Sequence, residues 1–94
     1  MTIPKVLLEY QGLGIGEKIV FAEMLYLSQR ALPGDAAEVY YPTLAARTGT
    51  CTIKARRRAL ALQDAGLIEI TRDDYTLGYR IVATPLAEAC RAGP

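Results

Sequence analysis

Gly49 separates two segments that both read as short helices, and this break constrains the fold more than any other feature of the chain. Before it runs Thr43-Leu44-Ala45-Ala46-Arg47-Thr48. After it comes Thr50-Cys51-Thr52-Ile53-Lys54-Ala55-Arg56-Arg57-Arg58-Ala59-Leu60-Ala61-Leu62, closed by Ala65-Gly66-Leu67-Ile68. Glycine adopts positive φ freely, so it permits a sharp turn between helices. The spacing predicts helices over 43–48 and 52–65, the first capped by Thr43 and the second stopped by Gly66. Winding the second helix at about 100° per residue puts Ala55, Ala59 and Leu62 on one face and Ile53, Arg57 and Leu60 opposite them. Lys54 and Arg56 lie on the flanks, and Arg58 lies nearest the buried side. Alanine at two of three inward positions lets this helix approach its neighbour closely.

Charge follows the same segment. Residues 43–62 hold Arg47, Lys54, Arg56, Arg57 and Arg58 and no acid, a formal charge of +5, whereas the whole 94-residue chain carries only +1. Residues 1–42 and 63–94 each hold three basic and five acidic side chains, −2 apiece. Concentrated basicity in an otherwise acidic chain points to a polyanion, and on a helix pair it points to DNA. The length fits one domain with a modest core, for which dimerisation adds stability.

Several function classes are excluded by what the chain lacks. Cys51 and Cys90 are isolated, and there is no histidine and no Cys-x-x-Cys, so neither zinc spacings nor a disulfide framework arise. With no serine-nucleophile motif or metal cluster, no enzyme activity, cofactor or small-molecule substrate is expected. No signal-like N-terminus occurs, and no apolar run nears the ~20 residues that span a bilayer, so a reducing, cytoplasmic setting is expected. Cys51 reads as a structural or adventitious thiol.

Around the central segment, Lys5–Tyr10 reads as either a helical turn or a strand. Gly12, Gly14 and Gly16 read as a flexible loop, since no dinucleotide or P-loop pattern surrounds them. A helix is predicted over 17–32, stopped by Pro33-Gly34. Ile19, Val20, Phe21, Ala22, Met24, Leu25, Tyr26 and Leu27 make it apolar almost all round, so it is either the central core helix or partly a subunit contact. Val39-Tyr40-Tyr41 reads as a short strand. Period-two alternation over Leu67–Arg72 and the β-prone Tyr79–Val82 predict a hairpin over 67–83 around Asp73-Asp74-Tyr75-Thr76-Leu77-Gly78. Thr84-Pro85 opens a tail helix over 85–91.

The order helix, strand, helix, turn, helix, hairpin places the chain in the α+β class, mainly α with a small β-hairpin, as a winged helix-turn-helix. The chain resembles the small winged helix-turn-helix domains of bacterial plasmid and phage replication-initiation proteins and related transcriptional regulators. The resemblance rests on Glu17-Lys18-Ile19-Val20, Tyr41-Pro42-Thr43-Leu44-Ala45, Thr48-Gly49, Leu62 with Gly66-Leu67-Ile68, and Tyr79-Arg80-Ile81, and it covers Lys5 to Val82. The chain departs from those domains in three ways. Cys51 stands where they usually carry a serine cap, Lys54-Ala55 stands where threonine-valine is common, and Asp73 and Asp74 put repulsive charge at the hairpin tip.

The resemblance implies sequence-specific binding of double-stranded DNA, with the 52–65 helix in the major groove. Arg56 and Arg57 would pair with guanine, Thr52 with a base or phosphate, and Ile53 with a thymine methyl. Lys54, Arg47 and Thr43 would hold phosphates, and Thr50, Arg72 and Arg80 complete the expected contact set. It also implies a bacterial protein of the nucleoid or of plasmids. A homodimer is expected, built from Phe21, Leu25 and Tyr26 with the N-terminal segment or the tail helix around Leu86. The competing reading is a protein-interaction module without specific DNA readout, its arginines facing an acidic partner and Ile53 and Leu60 marking the contact. Tyr75 either stacks on a sugar or covers the hairpin.

Overall fold

The computed structural model describes residues 3–29 and 36–92 of the chain, and among them five helices and a three-stranded antiparallel sheet make an α+β fold. The undecided N-terminal stretch is helical, α1 (Lys5–Leu8), with Leu7 buried. Helix α2 (Ile15–Ser28) begins two residues before the predicted start, so Gly16 belongs to its first turn and not to a loop. It ends at Ser28, with Gln29 following as its C-cap. The expected continuation to residue 32 and the Pro33-Gly34 stop lie outside the described residues.

Strand β1 (Ala37–Tyr40) leads directly into α3 (Tyr41–Thr48). Tyr41 is therefore helical, and Thr43 is not a cap. Pro42 explains the earlier start: its fixed φ and missing N–H suit the first turn of a helix. At the far end Gly49 takes φ 72°, and the amides of Gly49 and Thr50 close back onto the carbonyls of Ala46 and Ala45. Helix α4 (Thr52–Asp64) ends the same way, with Gly66 at φ 78° and Leu67 bonded to the carbonyl of Leu62.

Strands β2 (Ile68–Asp73) and β3 (Thr76–Ile81) form the predicted hairpin, and β3 also pairs with β1, giving the order β1-β3-β2. The sheet is thus one strand larger than a hairpin. A bulge between Ile70 and Arg72 shifts the register of β2, and Gly78 faces it across the ladder. Helix α5 (Pro85–Ala92) packs against α1, with Leu86 and Ala87 buried.

Phe21, Val20, Met24, Leu44, Ala55, Ala59, Leu62, Leu77 and Tyr79 form one core between the helices and the sheet. The surplus apolar surface of α2 is thereby accounted for. Phe21 and Leu25 are buried inside the domain, while Tyr26 stays 45% exposed, so the first two are core and not a subunit contact. Two buried polar groups anchor α2. Lys18 donates to the Leu8 carbonyl at 2.7 Å, and Glu23 pairs with Arg47 of α3. The Tyr79 hydroxyl donates to the Met24 carbonyl at 2.6 Å, which satisfies the deepest phenol of the core.

Candidate nucleic-acid interface

Helix α4 is packed on one side only. Ala55, Ala59 and Leu62 are fully buried against α2 and α3, which leaves the rest of its circumference to polar and basic side chains. Ile53, 66% exposed, and Arg57 lie on the outward crest. Arg56 and Thr52 lie on the flank toward the hairpin, and Lys54 and Arg58 on the flank toward α2. Arg58 is half-buried over Gly16, where a Cβ would approach its Cζ to 2.6 Å. The glycine in the first turn of α2 thus gives the guanidinium its seat.

The cations divide into two groups. Arg47 is held by the buried carboxylate of Glu23 and lies 5.8 Å over the Tyr26 ring. Arg72 bonds Asp74 at 2.9 Å and reaches Glu38 at 3.4 Å, and Arg80 reaches Glu69 at 3.4 Å. Arg56 makes a side-on fork with Asp73, Nε to Oδ1 at 3.1 Å and Nη2 to Oδ2 at 2.7 Å. Lys54, Arg57 and Arg58, by contrast, have no carboxylate partner among the described residues. At spacing i, i+3, i+4 these three share one side of the helix.

The expected contact residues therefore do not form one set. Thr52, Ile53, Lys54, Arg56 and Arg57 come together on the open side of α4. Thr43 is exposed in the first turn of α3. Thr50 sits half-buried in the turn, its amide spent on closing α3. Arg47 is committed to the link between α2 and α3, while Arg72 and Arg80 serve ion pairs on the sheet.

Two residues that local pattern did not identify complete the site. Asp73, read from sequence only as a repulsive charge, accepts the Arg56 fork and also a 2.6 Å hydrogen bond from the Tyr41 hydroxyl. The fork, and secondly the phenol, hold its carboxyl below the ordinary aspartate range. Burial and the neighbouring Asp73 push the Tyr41 phenol up. Asp74 is held low by the amide of Thr76 and then by Arg72, closing the turn of the hairpin.

Cys51 occupies the N-cap of α4 with extended backbone, φ −98° and ψ 164°, so the helix begins at Thr52. Its sulfur makes no cap hydrogen bond of ordinary geometry. The nearby amide of Lys54 chiefly, helped by that of Ile53 and by the Lys54 charge, still lowers the thiol pKa. Beside the hairpin turn, Tyr40 and Tyr75 stand with ring centroids 5.6 Å apart, 57% and 68% exposed. They line an open groove of about 480 Å³ with Glu38, Val39, Arg72 and Thr76. Tyr75 thus covers Tyr40 and not the core. No helix of the described residues is long and apolar enough to cross a membrane. Compared with known proteins, the chain matches no family model, and no curated protein or solved structure is significantly similar to it.

Proposed function

We propose that α3, α4 and the β2–β3 hairpin act as a winged helix-turn-helix, and that the chain binds double-stranded DNA by laying the open side of α4 in the major groove. The observation that carries this reading is the distribution of uncompensated charge. Arg47, Arg56, Arg72 and Arg80 each meet a carboxylate; Lys54, Arg57 and Arg58 have none among the described residues and share one helix whose opposite face is alanine and leucine, whereas Arg91, also without one, stands alone on α5. A row of cations without carboxylate partners among the described residues, Lys54 and Arg57 exposed and Arg58 half-buried, suits phosphate and guanine acceptors. Arg57, at the crest, reads a base, with Ile53 beside it for a thymine methyl. Lys54 and Arg58, on the flank, hold the backbone. Arg47, Arg72 and Arg80 are given a lesser part, because some of their donors already serve Glu23, Asp74, Glu38 and Glu69.

Selection of bound sequences from random duplexes, followed by affinity measurements, tests the assignment. Arg57→Ala is expected to cost about 1–3 kcal/mol on the selected site and to relax one base position, whereas Lys54→Ala weakens all sequences alike. Equal losses on selected and random DNA for Arg57→Ala would remove the base-reading role.

Two copies on a palindromic site would supply the affinity that one small reading head lacks. With Phe21 and Leu25 in the core, the exposed apolar side chains that remain for such a contact include Val6, Leu8 and Tyr10 near the N-terminal end and Ile15 and Tyr26 of α2. Sedimentation at micromolar concentration is expected to show a dimer of the 10.2 kDa chain, and a clean monomer would contradict it. In the protein-interaction reading the arginines of α4 face an acidic partner with the exposed Ile53 beside them, and binding of an acidic peptide in place of DNA would favour it.

A further inference from the structure

We propose that Asp73 is a positioning residue that presents Arg56 to a guanine, with Tyr41 bracing Asp73 in turn. The inference rests on the DNA-binding reading above. A guanidinium has five N–H donors in a planar fork with two usable edges. Asp73 takes the side edge, Nε–H and the inner Nη2–H, at 3.1 and 2.7 Å. The end edge, formed by Nη1–H and the outer Nη2–H, meets no carboxylate among the described residues; the Tyr41 phenol stands near the guanidinium as well as on Asp73, and the Arg56 side chain is 50% exposed. That end edge is the one that spans the O6 and N7 acceptors of guanine.

The three partners come from three elements: Arg56 from α4, Asp73 from the end of β2, and Tyr41 from the start of α3. The hydrogen bond from Tyr41 to Asp73 Oδ1, at 2.6 Å, fixes the carboxylate that fixes the guanidinium. A free arginine loses considerable rotamer freedom when it binds a base. One already held by its side edge loses less, so discrimination improves without a new contact. Arg57, one residue along, has no such brace. The two adjacent arginines therefore read in different ways, one preset and one adaptable.

The test measures base preference position by position for the wild-type chain and for Asp73→Ala, Asp73→Glu, Tyr41→Phe and Arg56→Ala, with circular dichroism confirming that each is folded. A bidentate arginine favours guanine by about tenfold or more. Arg56→Ala is expected to abolish that preference at one position. Asp73→Ala should cut it about three- to tenfold at the same position and leave the Arg57 position unchanged. Tyr41→Phe should produce a smaller loss there, and Asp73→Glu should restore part of it. In NMR spectra the Arg56 Nε–H signal should be protected in the wild type and lost in Asp73→Ala.

Tighter binding of Asp73→Ala to every sequence would mean that Asp73 masks Arg56, and would overturn the proposal. So would an unchanged preference at the Arg56 position. A wild-type chain without any base preference would overturn the DNA-reading proposal itself, and this one with it.

Discussion

Arg56 and Arg57 are neighbours in the chain and end in different surroundings, because one step along a helix turns a side chain through about 100°. Arg56 lands against the hairpin and is gripped by Asp73, while Arg57 points straight out. The same angular logic seats Arg58 over Gly16. At the start of the helix Cys51 holds the N-cap, where a thiol is a poor acceptor for the amide of Lys54. Cys51→Ser is expected to stabilise the domain by a few tenths to about 1 kcal/mol, read as a rise in the thermal midpoint. A neutral or lower midpoint would show that the cap is not limiting. The buried alanines of α4 and the turn glycines Gly49 and Gly66 were legible in the sequence because each is a local rule, whereas the expected Thr43 cap was displaced by Pro42. The partners of Arg47 and Arg56 were not legible, since Glu23 and Asp73 lie 24 and 17 residues away and only the folded chain brings them together.

Helix α2 and the hairpin show where local rules yield to their neighbours. The glycines before α2 read as loop, yet Gly16 is helical, because the core recruits Val20, Phe21 and Met24 and Arg58 needs a position without a side chain. Strand β1 ends one residue early because Pro42 favours the first turn of α3. It was legible as a strand, but its pairing with β3 was not, since Ala37 and Tyr79 meet across 42 residues of chain. The hairpin in turn depends on two carboxylates, and acid is expected to loosen it. Asp73 and Asp74 both have depressed pKa values in the fold, by Arg56 and Tyr41 for the first and by the Thr76 amide and Arg72 for the second. A depressed carboxyl contributes stability that is present above its unfolded pKa and is lost as pH falls through the folded value. Thermal midpoints should therefore drop as pH is lowered below about 4, the unfolded aspartate range. An Asp73→Asn/Asp74→Asn variant should start lower at neutral pH and show a flatter acid limb. An equally steep limb in that variant would place the acid sensitivity elsewhere.

Across the whole molecule the fold pairs each described arginine of α3 and the sheet with an acid, and leaves Lys54, Arg57 and Arg58 without a carboxylate among the described residues on one side of one helix. Net charge alone, at +1, hides this, and only the distribution along the sequence hinted at it. Duplex-DNA affinity as a function of salt, measured on the wild-type chain and on a Lys54→Ala/Arg57→Ala/Arg58→Ala variant, tests this charge distribution. Counterion release gives a slope of about −0.9 in log K against log salt for each phosphate neutralised. A steep negative slope is expected for the wild type, and a slope shallower by up to about 1.8 for the triple variant with its fold intact, since Lys54 and Arg58 are the phosphate contacts among the three. A wild-type affinity that does not change with salt, or a triple variant with the full slope, would contradict it.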